Sequence, residues 1–224
     1  MKPALTVLML PLLLALPGIA SALEREWIPY KKLVETIKLD KFYALPAEER
    51  DKMVLFANLA PVNKQIAPSS VKLVVVHSGG RQPIPLDEHG RALIVPNRAF
   101  LAEDAKIWTS LPKGEKMGVG FSAAAVVPEG RQWNYATVMG SLPQANAAVG
   151  KVAGMFRVFM PTLKVVAFKF DKPAELTIHA KGGDKRYASD AQHQIKLKLD
   201  DTLLVQNPLV SLSRQPLESE LESE

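Results

Sequence analysis

Leu73-Val-Val-Val-His-Ser-Gly-Gly80 has a counterpart 103 residues further along the chain, Leu176-Thr-Ile-His-Ala-Lys-Gly-Gly183. Each stretch begins with apolar and β-branched residues, which favour a strand, and ends in a Gly-Gly pair, which favours a tight turn. Strands that follow one another closely along a chain usually pair antiparallel. The two stretches therefore predict two small antiparallel sheets, one in each half of the protein.

The similarity extends beyond these strands. At the same offset of 103 residues, identical or similarly apolar residues align. These pairs are Asp87 with Asp190, Ile94 with Leu197, Phe100 with Leu203, Leu101 with Leu204, Ile107 with Val210 and Ser110 with Ser213. These are turn and core-type positions, where backbone and packing constrain the residue. The pattern favours an internal duplication. The alternative is two unrelated β-rich segments that share common turn chemistry.

A short amphipathic helix is predicted at the start of each half. After Trp27-Ile-Pro-Tyr30 and again after Trp133-Asn-Tyr135, apolar residues recur at intervals of three, four and seven, which is the spacing of one helix face. Trp27 and Trp133 both lie just before the predicted helices, so we expect each tryptophan to anchor its helix to the sheet. The predicted fold is therefore α+β and β-dominated. It consists of two tandem pseudo-repeats, each a short amphipathic helix followed by a small antiparallel sheet or sandwich.

The first 22 residues have the features of a Sec signal peptide. Lys2 supplies the positive charge, an unbroken apolar run follows from Ala4 to Leu16, and small residues lead up to Ala22. We predict cleavage after Ala22, with cleavage after Ala20 or an uncleaved N-terminal anchor as alternatives. The apolar run is shorter than the roughly 20 residues of a membrane-spanning helix. The predicted location is the periplasm or the exterior of a bacterial cell.

Composition limits the class of protein further. The chain has 224 residues and no cysteine, which excludes a lipoprotein anchor and disulfides, so we expect stability to come from packed cores. A net charge of +5 suits contact with an anionic lipid, a glycan or an acidic envelope protein, or serves solubility alone. Given the export signal and the lack of an aromatic-basic motif, no nucleic-acid partner is expected.

The predicted organisation has five parts: a signal peptide over 1–22, a first α+β repeat over 23–127, a linker over 128–132, a second repeat over 133–216 and an acidic tail over 217–224. The tail, Leu-Glu-Ser-Glu-Leu-Glu-Ser-Glu, is low in complexity and is predicted to be disordered. Lys116–Val127 is predicted to be an added strand. The segment Gln144–Pro161 is apolar and fits either a partner-binding face or a helix buried between the repeats.

Histidines and carboxylates are the first candidates for a site. His77, Asp87 and His89 fall in one predicted hairpin, and such groups can hold zinc or copper. However, His77 aligns with Ala180 rather than with His179, so a shared ligand set is not indicated and no metal or cofactor is predicted. The candidate binding residues are Trp108, His77, Asp87 and His89, with strand-end and turn roles as the simpler interpretation.

No catalytic residue is predicted, because the chain lacks cysteine and a Gly-x-Ser-x-Gly motif. The preferred hypothesis is therefore an exported, non-enzymatic binding or accessory protein of the cell envelope. Two alternatives are a hydrolase of envelope polymers with a carboxylate or His–Asp site, and a structural subunit of an envelope complex.

Overall fold

The computed structural model describes residues 24–154 and 160–223. The predicted signal peptide and its cleavage site after Ala22 lie outside the described residues. Within them, strands outweigh helices and pair antiparallel, which confirms a mixed α+β, β-dominated fold. Among the described helices, none is both long enough and apolar enough to cross a membrane.

Fourteen strands and six α-helices are present in the described residues. The strands are β1 (Arg25–Pro29), β2 (Met53–Pro61), β3 (Leu73–His77), β4 (Gly80–Ile84), β5 (Arg91–Ala92), β6 (Lys106–Thr109), β7 (Met117–Ala125), β8 (Gln132–Asn134), β9 (Val165–Lys169), β10 (Glu175–Ala180), β11 (Gly183–Ala188), β12 (Gln194–Lys198), β13 (Leu209–Leu212) and β14 (Glu218–Glu222). The helices are α1 (Tyr30–Thr36), α2 (Leu39–Ala44), α3 (Arg98–Ala102), α4 (Tyr135–Met139), α5 (Ser141–Val152) and α6 (Asp201–Gln206).

Two four-stranded sheets contain the glycine-terminated stretches of the sequence. Their strand orders are β1-β6-β3-β4 and β8-β13-β10-β11. In each, the Gly-Gly turn joins the last two strands, β3 to β4 and β10 to β11. The second glycine of each turn has a left-handed backbone, with φ of 131° at Gly80 and 113° at Gly183, which a side chain would disfavour. This explains why glycine stands there in both halves.

A six-stranded antiparallel sheet joins the two halves of the chain in the order β5-β2-β7-β14-β9-β12. The predicted strand over Lys116–Val127 is present as β7, which pairs with β2 along nine residue pairs. On its other side β7 meets β14, where Ala124 faces Glu220. The first three strands of the sheet therefore come from the first half of the chain, and the last three from the second half.

The prediction of a disordered tail over 217–224 is wrong for residues 218–222, which form β14 in the middle of this sheet. Ser219 and Leu221 face the core and are 7% and 6% exposed, while the alternating Glu218, Glu220 and Glu222 point to the opposite face. The alternation of polar and less polar residues is that of a strand with one buried face. Overall composition conceals this alternation. Strand β8 likewise begins at Gln132, within the predicted linker 128–132.

The predicted helix faces are confirmed. Helix α1 buries Tyr30, Leu33 and Val34, and helix α4 buries the corresponding apolar face with Tyr135 first. The tryptophans before them are not equivalent, however. A bulge in β1 lies between Glu26 and Ile28 and leaves Trp27 out of the ladder. Ile28 therefore pairs with Ile107 of β6, in the position that Trp133 has opposite Val210 of β13.

One continuous hydrophobic core runs through both halves. On β2, alternate residues from Met53 to Leu59 are buried on the face that meets the helices and the four-stranded sheets. In the second half, Phe168 of β9 packs against Trp133 of β8, with the ring centroids 6.0 Å apart. The six-stranded sheet therefore contributes one face to the core, while its other face carries both charged residues and apolar residues such as Val165 and Ala167.

Candidate functional site

Two of the candidate binding residues, Asp87 and His89, lie together in the turn before β5. One carboxylate oxygen of Asp87 accepts hydrogen bonds from the backbone N–H groups of His89 and Arg91, at 2.9 and 2.8 Å. The other accepts from Nε of Arg91 at 2.7 Å. The turn thus has the structural role that the sequence favours for Asp87, with an added ion pair.

Arg91 connects this turn to the C-terminal strand. Its guanidinium donates to Glu218 of β14 at 2.8 Å and lies 5.5 Å from the ring centroid of Phe56. His89 lies 3.9 Å from the same carboxylate. Arg91 is only 16% exposed in its side chain, and its charge is matched by two carboxylates. This arrangement joins chain elements that are distant in sequence and leaves Arg91 little freedom to bind a ligand.

We expect the ion pair between Asp87 and Arg91 to make the free energy of unfolding depend on pH. Partial burial opposes ionisation of Asp87, but the hydrogen bonds and charge of Arg91 outweigh it and hold the pKa of Asp87 below its ordinary 3.8. A lowered pKa contributes stability above the unfolded-state pKa and loses it as the pH falls through the folded-state pKa. Asp87→Asn should therefore destabilise the protein at pH 7 by about 0.5 kcal/mol, in the range of solvent-screened ion pairs, and by progressively less below pH 4. Urea unfolding across this pH range measures the effect.

Asp190→Asn is the matched control for that experiment. Asp190 accepts the equivalent backbone hydrogen bonds, from Gln192 and Gln194, but a glutamine stands where Arg91 stands in the first half. The excess effect of Asp87→Asn over Asp190→Asn measures the ion pair alone. Equal pH profiles for the two variants would show that Arg91 contributes nothing to the effect.

His77 lies apart from Asp87 and His89. It ends β3, stacks on Phe100 at 4.5 Å between ring centroids, and accepts the N–H of Gly79 on Nδ1. Its nearest carboxylate is that of Glu103, at 3.8 Å. No hydrogen bond or ion pair among the described residues connects His77 to Asp87 or His89. The hairpin therefore does not assemble the His–Asp site that the sequence made possible.

Trp108 lies on the outer face of the first four-stranded sheet, between Val74 and Glu26 in the ladder. The guanidinium of Arg81 is 5.9 Å from its ring centroid, and Arg81 is itself paired with Glu24. The ring is half-buried rather than fully exposed. Trp108 thus covers the outside of its own sheet.

The second four-stranded sheet carries a cluster that the sequence did not reveal. His179 of β10 has Nδ1 3.1 Å from Asp184 of β11 and Nε2 2.9 Å from the hydroxyl of Ser211 on β13. Serine, histidine and carboxylate thus form one hydrogen-bonded chain across three adjacent strands. His179 and Asp184 lie in and directly after the predicted strand and Gly-Gly turn over Leu176–Gly183, whereas Ser211 lies on a third strand. Their proximity depends on the strand order and diagonal register, which local sequence patterns do not contain.

An apolar groove lies between the two halves. Two adjoining cavities of about 220 and 510 Å³ share Met53, Leu55, Phe121 and Val149. We call these four residues and the space above them the interhalf groove. Its residues come from β2 and β7 in the first half and from α5 in the second. Phe121 is 44% exposed there, although its partner in the ladder, Ala57, is fully buried on the same sheet face.

Helix α5 accounts for both interpretations of the apolar segment Gln144–Pro161. Leu142, Ala145 and Ala148 are buried, whereas Val149 and Val152 line the groove. Residues 155–159 of this segment lie outside the described residues. At one end of the groove, Lys38 has a left-handed backbone with φ of 59° and an exposed side chain. The groove therefore combines an apolar floor with a cation at its rim.

Comparison with known proteins adds no assignment: no protein-family model, curated protein or solved structure matches this chain.

Proposed function

We propose that the protein is an exported binding protein of the bacterial cell envelope, built from two tandem repeats, and that its interhalf groove binds an apolar ligand without catalysing a reaction on it. The observation that carries the proposal is the groove itself. It is an apolar concavity with a half-exposed phenylalanine, formed jointly by the two halves. Location in the periplasm rests on the signal-peptide pattern over 1–22.

Equivalent tyrosines support the duplication. The hydroxyl of Tyr30 donates to the carbonyl of Val95 and accepts the N–H of Asn97, at 3.4 and 3.1 Å. The hydroxyl of Tyr135 makes the same two bonds in the second half, at 3.3 and 3.1 Å, with the carbonyl of Lys198 and the N–H of Asp200, which lie 103 residues beyond Val95 and Asn97. Burial raises the pKa of Tyr135 to about 12, so its hydroxyl stays protonated and able to donate.

Other local devices recur at the same offset. Ser110 and Ser213 each accept a backbone N–H on the hydroxyl, from Lys72 and Glu175 respectively, at 2.9 Å. The paired strand orders of the two four-stranded sheets agree with these matches. On this basis the second repeat extends through β14, which takes the place that β7 has in the first, so residues 218–222 belong to the repeat and not to a tail.

The groove has the properties of a small-molecule site. Its larger cavity falls within the range of about 300–1,000 Å³ that such sites occupy, and its lining is mainly hydrophobic. Leaving the Phe121 ring in water is unfavourable, because burial of apolar surface stabilises a protein or complex by about 25 cal/mol for each Å² removed from water. A ligand that covers this ring regains that free energy. The groove therefore favours an aliphatic or aromatic moiety over a polar one.

Charge at the rim narrows the chemistry of the ligand. No hydrogen bond or ion pair joins Lys38 to another side chain within residues 24–154 and 160–223. At the opposite end, Glu222 is paired with Lys196 at 2.7 Å. An anionic group is thus favoured near Lys38, whose charge has no ion-pair partner among the described residues. We propose an acyl chain with a terminal carboxylate as the ligand.

The proposal predicts that the mature protein binds dodecanoate, measured by isothermal titration calorimetry. Phe121→Asp should abolish binding, because it places a charge in the apolar floor. Lys38→Gln should weaken dodecanoate about threefold to tenfold, which corresponds to an exposed ion pair of about 1 kcal/mol, and should leave dodecanol binding unchanged. Because only dodecanoate is charged, comparing it with dodecanol separates the contribution of Lys38 to binding from that of the apolar floor.

Val205→Asp is the control for the acidic substitution. Val205 is 88% exposed on α6 and does not line the groove, so this variant should bind dodecanoate like the wild type. Binding that survives Phe121→Asp, or that is absent from the wild type, would overturn the groove as the ligand site.

A further inference from the structure

We propose that the outer face of the second four-stranded sheet is an esterase site in which Ser211 is the nucleophile, His179 the general base and Asp184 the residue that orients the base. This activity is separate from ligand binding in the interhalf groove. It would make the protein bifunctional.

The hydrogen bonds assign the protons. An ionised carboxylate only accepts, so the bond to Asp184 places the proton of neutral His179 on Nδ1. Nε2 then carries a free lone pair and accepts the hydroxyl of Ser211 at 2.9 Å. A nucleophile within hydrogen-bond reach of a base, and a base oriented by a third group, is the arrangement that activates serine.

Space and a further donor lie beside the nucleophile. Ser211 lines a surface depression of about 540 Å³ together with Gly130, Arg131 and Gln132. Gln132 is directly opposite Ser211 in the ladder, so the two side chains emerge on the same face. Glutamine amides serve as donors to the oxyanion that forms during acyl transfer. The four polar groups thus lie on four adjacent strands, with open access for a substrate.

The sheet does not need this cluster in order to form. At the offset of 103 residues, the first four-stranded sheet has Val76, Arg81 and Trp108 in place of His179, Asp184 and Ser211. Those residues support the same strand order without a serine, histidine or carboxylate. A purely structural explanation therefore does not require the hydrogen-bonded chain in the second sheet.

The reaction is ester hydrolysis with water as co-reactant. The Ser211 oxygen attacks the carbonyl carbon of an ester while its proton passes to Nε2 of His179. The imidazolium then returns that proton to the leaving alkoxide, the carbon–oxygen bond breaks, and an acyl-serine remains. Water repeats the sequence on the acyl-serine, which releases a carboxylic acid and restores the serine hydroxyl.

Neighbouring charge indicates the class of ester. Arg186 is opposite Thr177, which in turn is opposite Ser211, and the side chain of Arg186 is exposed on the same face. Arg131 borders the depression on the other side. Two cations around an open nucleophile favour an acyl ester carried on an anionic molecule.

The test uses the purified mature chain. We expect it to hydrolyse p-nitrophenyl acetate and to be labelled on Ser211 by a fluorophosphonate, located by peptide mass spectrometry. Ser211→Ala should lower the enzymatic rate about a hundredfold or to background, and His179→Ala by a similar factor, the scale of one general base. Asp184→Asn should reduce the rate and the labelling of Ser211 without removing the nucleophile.

Two controls isolate the chemistry from the fold. Ser213→Ala removes a serine just past the end of β13, whose hydroxyl accepts the N–H of Glu175 and is not bonded to His179. His193→Asn removes a histidine from a left-handed turn position that asparagine tolerates. Both should retain the wild-type rate and labelling. A rate that is unchanged in Ser211→Ala, or fluorophosphonate labelling spread over other residues, would overturn the proposal. Dodecanoate binding by Ser211→Ala remains as in the wild type, so the two proposals fail independently.

Discussion

Removal of residues 217–224 is expected to unfold the protein. The truncation deletes β14, whose five residues pair with β9 and which also meets β7. It would leave two strand edges unpaired in the middle of a sheet, where backbone N–H and C=O groups then lack partners. At about 1 kcal/mol for each hydrogen bond, the loss is roughly 5 kcal/mol, which is similar to the whole stability of a typical domain, about 5–15 kcal/mol.

Side chains add to this loss. The hydroxyl of Ser219 donates to the carbonyl of Ala125 at 2.6 Å, and Leu221 packs into the common core. Far-UV circular dichroism and thermal unfolding of the truncated chain provide the measurement. Glu220→Gln is the control, because it removes an acidic group from the same strand and keeps the backbone ladder. An acidic appendage would be dispensable, so a truncated chain that melts at the wild-type temperature would contradict the position of β14.

The tail also illustrates what the sequence could and could not predict. The Gly-Gly turns, the apolar helix faces and the strand at residues 116–127 depend on local spacing, and all of them are present in the structure. Ser219 and Leu221 carry the same kind of local signal, but four glutamates in eight residues dominate the composition. Alternation, rather than charge, determines whether such a segment can pair as a strand.

Sites were harder to predict than strands. Asp87 and His89 are near each other because they belong to one turn, which local sequence shows directly. His179, Asp184 and Ser211 meet only because β10 lies between β11 and β13 with a particular register. A shift of one residue in either pairing would turn a side chain to the opposite face and separate the cluster. Such contacts depend on tertiary structure, so the residue pattern alone could not select them.

The interhalf groove is a second consequence of tertiary structure. Phe121 and Phe168 both lie in the six-stranded sheet on the face that meets the core, yet Phe121 is 44% exposed and Phe168 is fully buried. The difference arises from what covers each ring. Trp133 of β8 packs on Phe168, whereas the space beside Phe121 is the groove between β7 and α5. The sequence predicts a strand around Phe121, but local sequence patterns cannot distinguish a core position from a binding position.

Phe168→Ala tests that distinction by stability. Phe168 is 0% exposed and faces Trp133, so shortening its side chain to alanine leaves a cavity between the six-stranded sheet and β8. We expect the free energy of unfolding to fall by about 3–5 kcal/mol. Urea unfolding should show a lower midpoint with an unchanged slope, since the surface exposed on unfolding is nearly the same. Phe121→Ala is the matched control and should cost less than about 1 kcal/mol, as substitutions at exposed positions do. If the two variants lost equal stability, Phe121 would be a core residue and the groove would be closed in solution.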